Sequence, residues 1–230
     1  MRGGGLSGLV NPYFVPNSVM SFLAGLVAFA VSYYAYRYGR VAGSGFLRIL
    51  SLGFMMLGVG LFAQASAFVF FYLDAGRISD RGAYVYSATL IFLALQAVAY
   101  LMITLSYARR VRGGSAVAAE GAAVGAVQII YQSSSLLLFG THVLEFGELI
   151  LVVLLALIVF QGVLIYGENR NRLALMVLGA FSLLLVAHMA TLSASLLSSG
   201  LLYLVGDLVQ LAGFALLLLF VMRSGPDGRK

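Results

Sequence analysis

The chain has no cysteine, no tryptophan and only three prolines in 230 residues, and no more than 10% of it is charged. Without cysteine there are no disulfides, no thiol nucleophile, no iron–sulfur cluster and no thiolate metal site. The shortage of charge is as decisive, because 62% of the residues are hydrophobic and the mean hydropathy is +1.02, whereas soluble domains are nearer ~45–50% apolar. A water-soluble globule is excluded, and the lipid bilayer becomes the expected surroundings. The net charge of +6 comes from 14 basic and 8 acidic residues. In a membrane chain such an excess serves topology and anionic headgroups, so it does not point to nucleic acid.

A spanning helix needs about 20 apolar residues. Apolar runs bounded by charge or by Gly/Ser clusters give seven candidates: Phe14–Tyr36, Leu47–Leu73, Ala83–Tyr107, Ala116–Phe139, Leu144–Tyr166, Leu173–Leu197 and Leu201–Met222. The fold class expected is therefore an all-α integral membrane protein with seven transmembrane helices. At this length the seven leave no room for a soluble domain, so one transmembrane domain over 1–230 is expected. The glycine-rich start is followed by an apolar run too long for a signal-peptide core, and Phe14–Tyr36 is kept as a span.

The fourth candidate is diluted by Glu120, Gln128, Gln132 and Ser133–Ser135, and charge decides its status. If it crosses, Arg37, Arg40, Arg48, Arg109, Arg110, Arg112, Arg170, Arg172, Arg223, Arg229 and Lys230 share one side, against Arg2, Arg77 and Arg81 on the other. If it does not, the split becomes 6 against 8 and no bias remains. The positive-inside rule selects seven spans in the cell membrane, N-terminus extracytoplasmic and C-terminus cytoplasmic. An internal echo agrees. Tyr38-Gly39-Arg40, Arg48 and Leu52-Gly53-Phe54 reappear as Tyr166-Gly167, Arg170 with Arg172, and Leu178-Gly179-Ala180-Phe181. Two like-oriented triplets need an odd number of helices between them, which gives a 3+1+3 parallel repeat. Gly121 and Gly125 form a small-xxx-small face on the fourth span, suited to internal packing or to oligomerisation.

Polar side chains at membrane depth are costly and normally face an interior or a cavity. At ~1.5 Å per residue, His188 and Asp207 fall in the outer halves of the last two spans, on antiparallel neighbours able to pair. Gln64 and Tyr86 lie at the outer ends of the second and third spans. His142, Glu145 and Glu148 form a weaker rim where the fifth begins, acidic residues that suit a helix N-terminus and a combination with a weak divalent-cation reading. Gln96, Gln161, Gln210 and Glu120 fall on the inner side as scattered groups. Thr191 and Ser195 share the His188 face, where hydroxyls commonly bond back to their own helix. The tyrosines, mostly near span ends, are expected as interface anchors. No metal site and no catalytic set is expected.

Asp207-Leu208-Val209-Gln210-Leu211-Ala212-Gly213-Phe214 is similar to the Asp-x-x-x-Lys-x-Gly-Phe pattern of microbial rhodopsins, a family of seven-helix, N-out proteins. Leu211 stands at the lysine position and the chain's one lysine is Lys230, so a retinal Schiff base is excluded. The overall texture also resembles small archaeal-type multi-pass proteins, a likeness that carries no site. The 3+1+3 plan resembles a family of sugar-permeating facilitators, but Pro12, Pro16 and Pro226 lie at or outside the span ends, so that family's proline–glutamine hinge is absent.

The sequence expectation is a protein without its own output domain that binds a small ligand, ion or lipid in an outer-leaflet pocket. It would act through a membrane or cytoplasmic partner, as a sensor or transport-type protein, or else serve as a packing subunit of a membrane complex. A small facilitative transporter and a haem-b electron-transfer subunit are the alternatives, the second disfavoured because His142 sits at the rim and His188 deeper. A non-enzyme is expected, since no Ser-His-Asp set, HExxH motif or pair of catalytic carboxylates lies within a span.

Overall fold

The computed structural model describes residues 14–73, 81–108 and 143–224. Over these the chain is helical, in α1 (Phe14–Val41), α2 (Gly45–Leu73), α3 (Arg81–Ala108), α4 (Val143–Asn169), α5 (Arg172–Leu197) and α6 (Gly200–Ser224). All six are long and apolar enough to cross a membrane. They match six of the expected spans to within a turn or so at either end. The fourth, Ala116–Phe139, with its Gly121 and Gly125, lies outside the described residues.

The ends are set by local chemistry. Asn171 caps α5 by accepting a hydrogen bond from the Leu173 N–H at 3.0 Å. Ser198 stops that helix in the left-handed region, at φ 50°, with its N–H returned to Ala194 and Ser195. Gly43, at φ +64°, turns the chain between α1 and α2, and Arg170, at φ 41°, does so between α4 and α5. Outward faces are as apolar as inward ones: Phe70 and Phe160 are each 60% exposed and Leu219 51%. Water would penalise such a surface and lipid does not.

The helices neighbour one another in chain order, and α6 returns to α1, so the six close into a ring. Residues 17–24 of α1, 89–93 of α3, 144–148 of α4 and 203–210 of α6 surround the same space as 61–68 of α2 and 188–195 of α5. Hence α1, α3, α4 and α6 run in one direction and α2 and α5 in the other. At the opposite end the middle of the ring is filled by aromatic side chains, with Phe54 edge-on to Phe214 and Tyr107 edge-on to Phe181. Tyr38 and Tyr107, expected as interface anchors, are buried in this core at 7% and 5% exposure, whereas Tyr33 and Tyr36 do face outward. The difference is helix phase: a tyrosine near a span end anchors at the surface only if its side chain points away from the bundle.

Two devices fix the closest pairs. Between α1 and α2, Ser32 Oγ donates to the Ser51 carbonyl and Ser51 Oγ to the Ser32 carbonyl, both at 2.8 Å. Between α5 and α6, Gly206 and Gly213 bring the backbones together, since a Cβ on either would meet Thr191 Oγ1 at 2.9 Å or the Ala180 carbonyl at 3.1 Å.

Candidate functional site

His188 lies within α5 between Val186-Ala187 and Met189-Ala190, and burial to 4% exposure obliges it to find partners. Its Nδ1 is 2.9 Å from Glu148 Oε2 on α4. Across the ring, on α3, its Nε2 is 2.8 Å from Gln96 Nε2 and 3.3 Å from the Tyr100 hydroxyl. A carboxylate only accepts, so Nδ1–H donates to Glu148. Nε2 is left as the acceptor for an amide hydrogen of Gln96, whose amide nitrogen also reaches the Tyr100 hydroxyl at 3.3 Å. One imidazole thus ties three helices together.

The sequence expectation allowed His188 to pair with Asp207. No hydrogen bond joins them; Glu148 takes the histidine, because α4 presents that carboxylate one turn into the helix and toward the ring interior. Glu148 is therefore a central residue of the site, although sequence reasoning placed it on the outer rim. Its companion Glu145 accepts from Ser195 Oγ at 3.2 Å. Ser195 does not bond back to its own helix, while Thr191 does, through the Ala187 carbonyl at 3.1 Å.

Next to this network lies a cavity of about 260 Å³ to which all six helices contribute. Its polar wall includes Glu148, His188, Asp207, Gln64 and Gln210, with Asn17 and Ser21 from α1. Leu61, Phe92 and Leu93 supply apolar surface. No described residue hydrogen-bonds the Asp207 carboxylate. Two neighbouring polar atoms are also buried without partners, the amide nitrogen of Gln210 and the side-chain oxygen of Asn17. Buried polar groups usually find partners, so two unanswered amide atoms beside the half-buried Asp207 carboxylate mark this space as the candidate site. Among the described residues no three His, Asp or Glu side chains come together as a metal-ligand set.

Of the residues expected at the site, His188, Asp207, Gln64 and Glu148 line this one cavity, and Glu145 touches it through Ser195. Tyr86 belongs to α3 with its side chain outside the described residues, and His142 is outside them altogether. Gln96 and Gln210, read as scattered inner-half groups, belong to the site instead. Gln210 follows Asp207 by three residues, a spacing that returns to the same helix face. Gln96 sits at the midpoint of its helix, where depth reckoning alone has no power to assign a side. Tyr100 carried no sequence signal beyond its spacing of four from Gln96. In comparisons with known proteins, no family model, no curated protein and no solved structure matches the chain.

Proposed function

We propose that this protein receives a small polar ligand in the cavity around His188, Glu148 and Asp207 and passes its occupancy to a partner protein, as a sensor or transport-type membrane protein. The observation that carries this reading is the contribution of all six helices to one polar cavity with partnerless groups in its wall. A ligand there contacts both halves of the ring, so its binding energy depends on how the helices sit. That dependence is what couples a site to a conformational equilibrium.

We further propose seven spans, with the N-terminus outside and the C-terminus in the cytoplasm. The parallel course of α3 and α4 supports the count. Residues 109–142 must connect the far end of α3 to the near end of α4, roughly 40 Å away along the helix axes. In lipid the backbone makes such a crossing only as a helix, which is the role expected of Ala116–Phe139. Arg37, Arg40, Arg48, Arg170, Arg172 and Arg223 all belong to the end of the ring away from the cavity, so the positive-inside rule turns the cavity outward.

The 3+1+3 repeat draws support from matched contacts when α1, α2 and α3 are paired with α4, α5 and α6. Gly53 of α2 faces Ile103 of α3, as Gly179 of α5 faces Leu216 of α6. Phe54 of α2 meets Phe214 of α6, as Phe181 of α5 meets Tyr107 of α3. The aromatic plug favours a receptor over an open permeation path. The haem reading is weakened because both His188 nitrogens already hold protein partners.

The test is purification of the full chain in mild detergent with mass spectrometry of bound small molecules and co-purifying proteins. A small molecule that Asp207→Asn fails to retain supports the reading. If no molecule co-purifies and Asp207→Asn and His188→Gln leave a parent membrane complex intact and active, the chain is a packing subunit instead.

A further inference from the structure

The charges around the cavity point to the class of its occupant. Among the described residues two carboxylates, Glu148 and Asp207, line it, and the one basic side chain is His188, whose Nδ1 is paired with Glu148 at 2.9 Å. No arginine or lysine among the described residues lines it. A neutral or anionic occupant would leave this negative field unanswered in a low-dielectric setting, whereas a cation answers it at short range. The ligand-seeking groups narrow the choice. Gln210 is only 9% exposed, and its buried amide nitrogen needs an acceptor. The Asn17 oxygen needs a donor, and the Asp207 carboxylate faces the same space. A bare metal ion offers no acceptor to Gln210, and no three-ligand set is available to hold one among the described residues. The volume, about 260 Å³, falls below the ~300–1,000 Å³ typical of drug-sized ligands.

We infer that the cavity binds a small organic monocation carrying both N–H donors and an oxygen acceptor, an amino alcohol or similar amine, with Asp207 and Glu148 as its counter-charges. This rests on the ligand-binding reading above and specifies its chemistry. The ammonium group lies toward the two carboxylates, its remaining N–H reaches Asn17, the oxygen accepts from Gln210, and the carbon chain rests against Leu61 and Phe92. The same ammonium chemistry is found on a free amine and on a phosphatidylethanolamine headgroup.

The experiment compares three near-isosteric probes on the full chain in phosphatidylglycerol nanodiscs by titration calorimetry: ethanolamine (positive), ethylene glycol (neutral) and glycolate (negative). Ethanolamine is expected to bind at least tenfold tighter than either of the others. Asp207→Asn and, separately, Gln210→Met each reduce its affinity, the first by tenfold or more. Tighter or equal binding of glycol or glycolate overturns the cation class and leaves the pocket reading standing. Failure of all three to bind overturns both. Adding phosphatidylethanolamine to the nanodiscs separates the sources. Loss of ethanolamine binding assigns the cation to a lipid headgroup, and unchanged binding assigns it to a free amine; both outcomes support an ammonium ligand.

Discussion

Removing the histidine that joins α3, α4 and α5 tests how this membrane interior is held together. In His188→Leu, Glu148 Oε2 loses a donor at 2.9 Å and Gln96 loses an acceptor at 2.8 Å, both inside the bundle. An orphaned buried group costs roughly 1–3 kcal/mol in soluble proteins, with bonds to charged groups at the upper end. Interhelical bonds in bilayers average nearer ~0.6 kcal/mol and reach ~1.7 kcal/mol. A carboxylate beside a cavity also has an escape, taking up a proton or a water. Together these place the loss at about 2–3 kcal/mol. Glu148→Met alone leaves the imidazole N–H unanswered and costs about 1–2 kcal/mol. The double variant removes both members of the His188–Glu148 pair, which for buried pairs is often close to neutral, and leaves only the loss at Gln96, which keeps its contact to Tyr100, so it falls within about 1 kcal/mol of the natural chain. The coupling between the two sites is then about 2 kcal/mol or more, in the upper part of the range for residues in one network. Reversible unfolding in mixed micelles, followed by circular dichroism for the four proteins of the cycle, measures it. Additive losses, with a coupling below about 0.5 kcal/mol, would refute the claim that His188 and Glu148 act as one unit.

Four further outcomes are expected. Gly213→Val, forced against the Ala180 carbonyl and Leu184, lowers stability by about 1–3 kcal/mol in the same assay. Gly167→Ala, with open space around its Cβ, leaves stability unchanged or raises it by up to ~1 kcal/mol; equal losses at both positions would show that close approach of α5 and α6 is not what Gly213 provides. Ser198→Gly relieves a left-handed residue at φ 50° and raises stability by about 0.5–1 kcal/mol, the relief being partly offset by a freer unfolded chain. Because the chain has no cysteine, single thiols report sidedness directly: Ser199→Cys reacts with an impermeant maleimide on intact cells, and Ala42→Cys reacts only after permeabilisation. The reverse pattern would invert the proposed orientation.

The helices themselves were legible in the sequence because crossing lipid is a one-dimensional constraint. A run of apolar residues long enough to span must close its own backbone hydrogen bonds, whatever lies beside it. For the same reason Asp207, His188 and Gln64 stood out, since each is a polar group in an apolar run. Glu148 stood only on the weaker rim because its depth in sequence matched a helix start, where a carboxylate is unremarkable. Only the course of α4 past α5 turned it toward His188. Gln96 and Tyr100 escaped because their importance comes from a partner 92 and 88 residues away, across the ring.

What the sequence determined, then, is the solvent: 62% hydrophobic residues and 10% charged ones require lipid around long helices, and the few polar residues within them mark where an interior must lie. Which of those residues meet was decided by tertiary structure alone. The hydrophobic effect does not distinguish a helix face turned to lipid from one turned to another helix, so hydropathy carries little information about rotation. Rotation is set by close packing at Gly206 and Gly213, by the reciprocal Ser32 and Ser51 bonds, and by the need of each buried polar group for a partner. Those contacts bring Glu148 to His188, leave Asp207 without a hydrogen-bond partner among the described residues, and open between them a cavity shared by the six described helices.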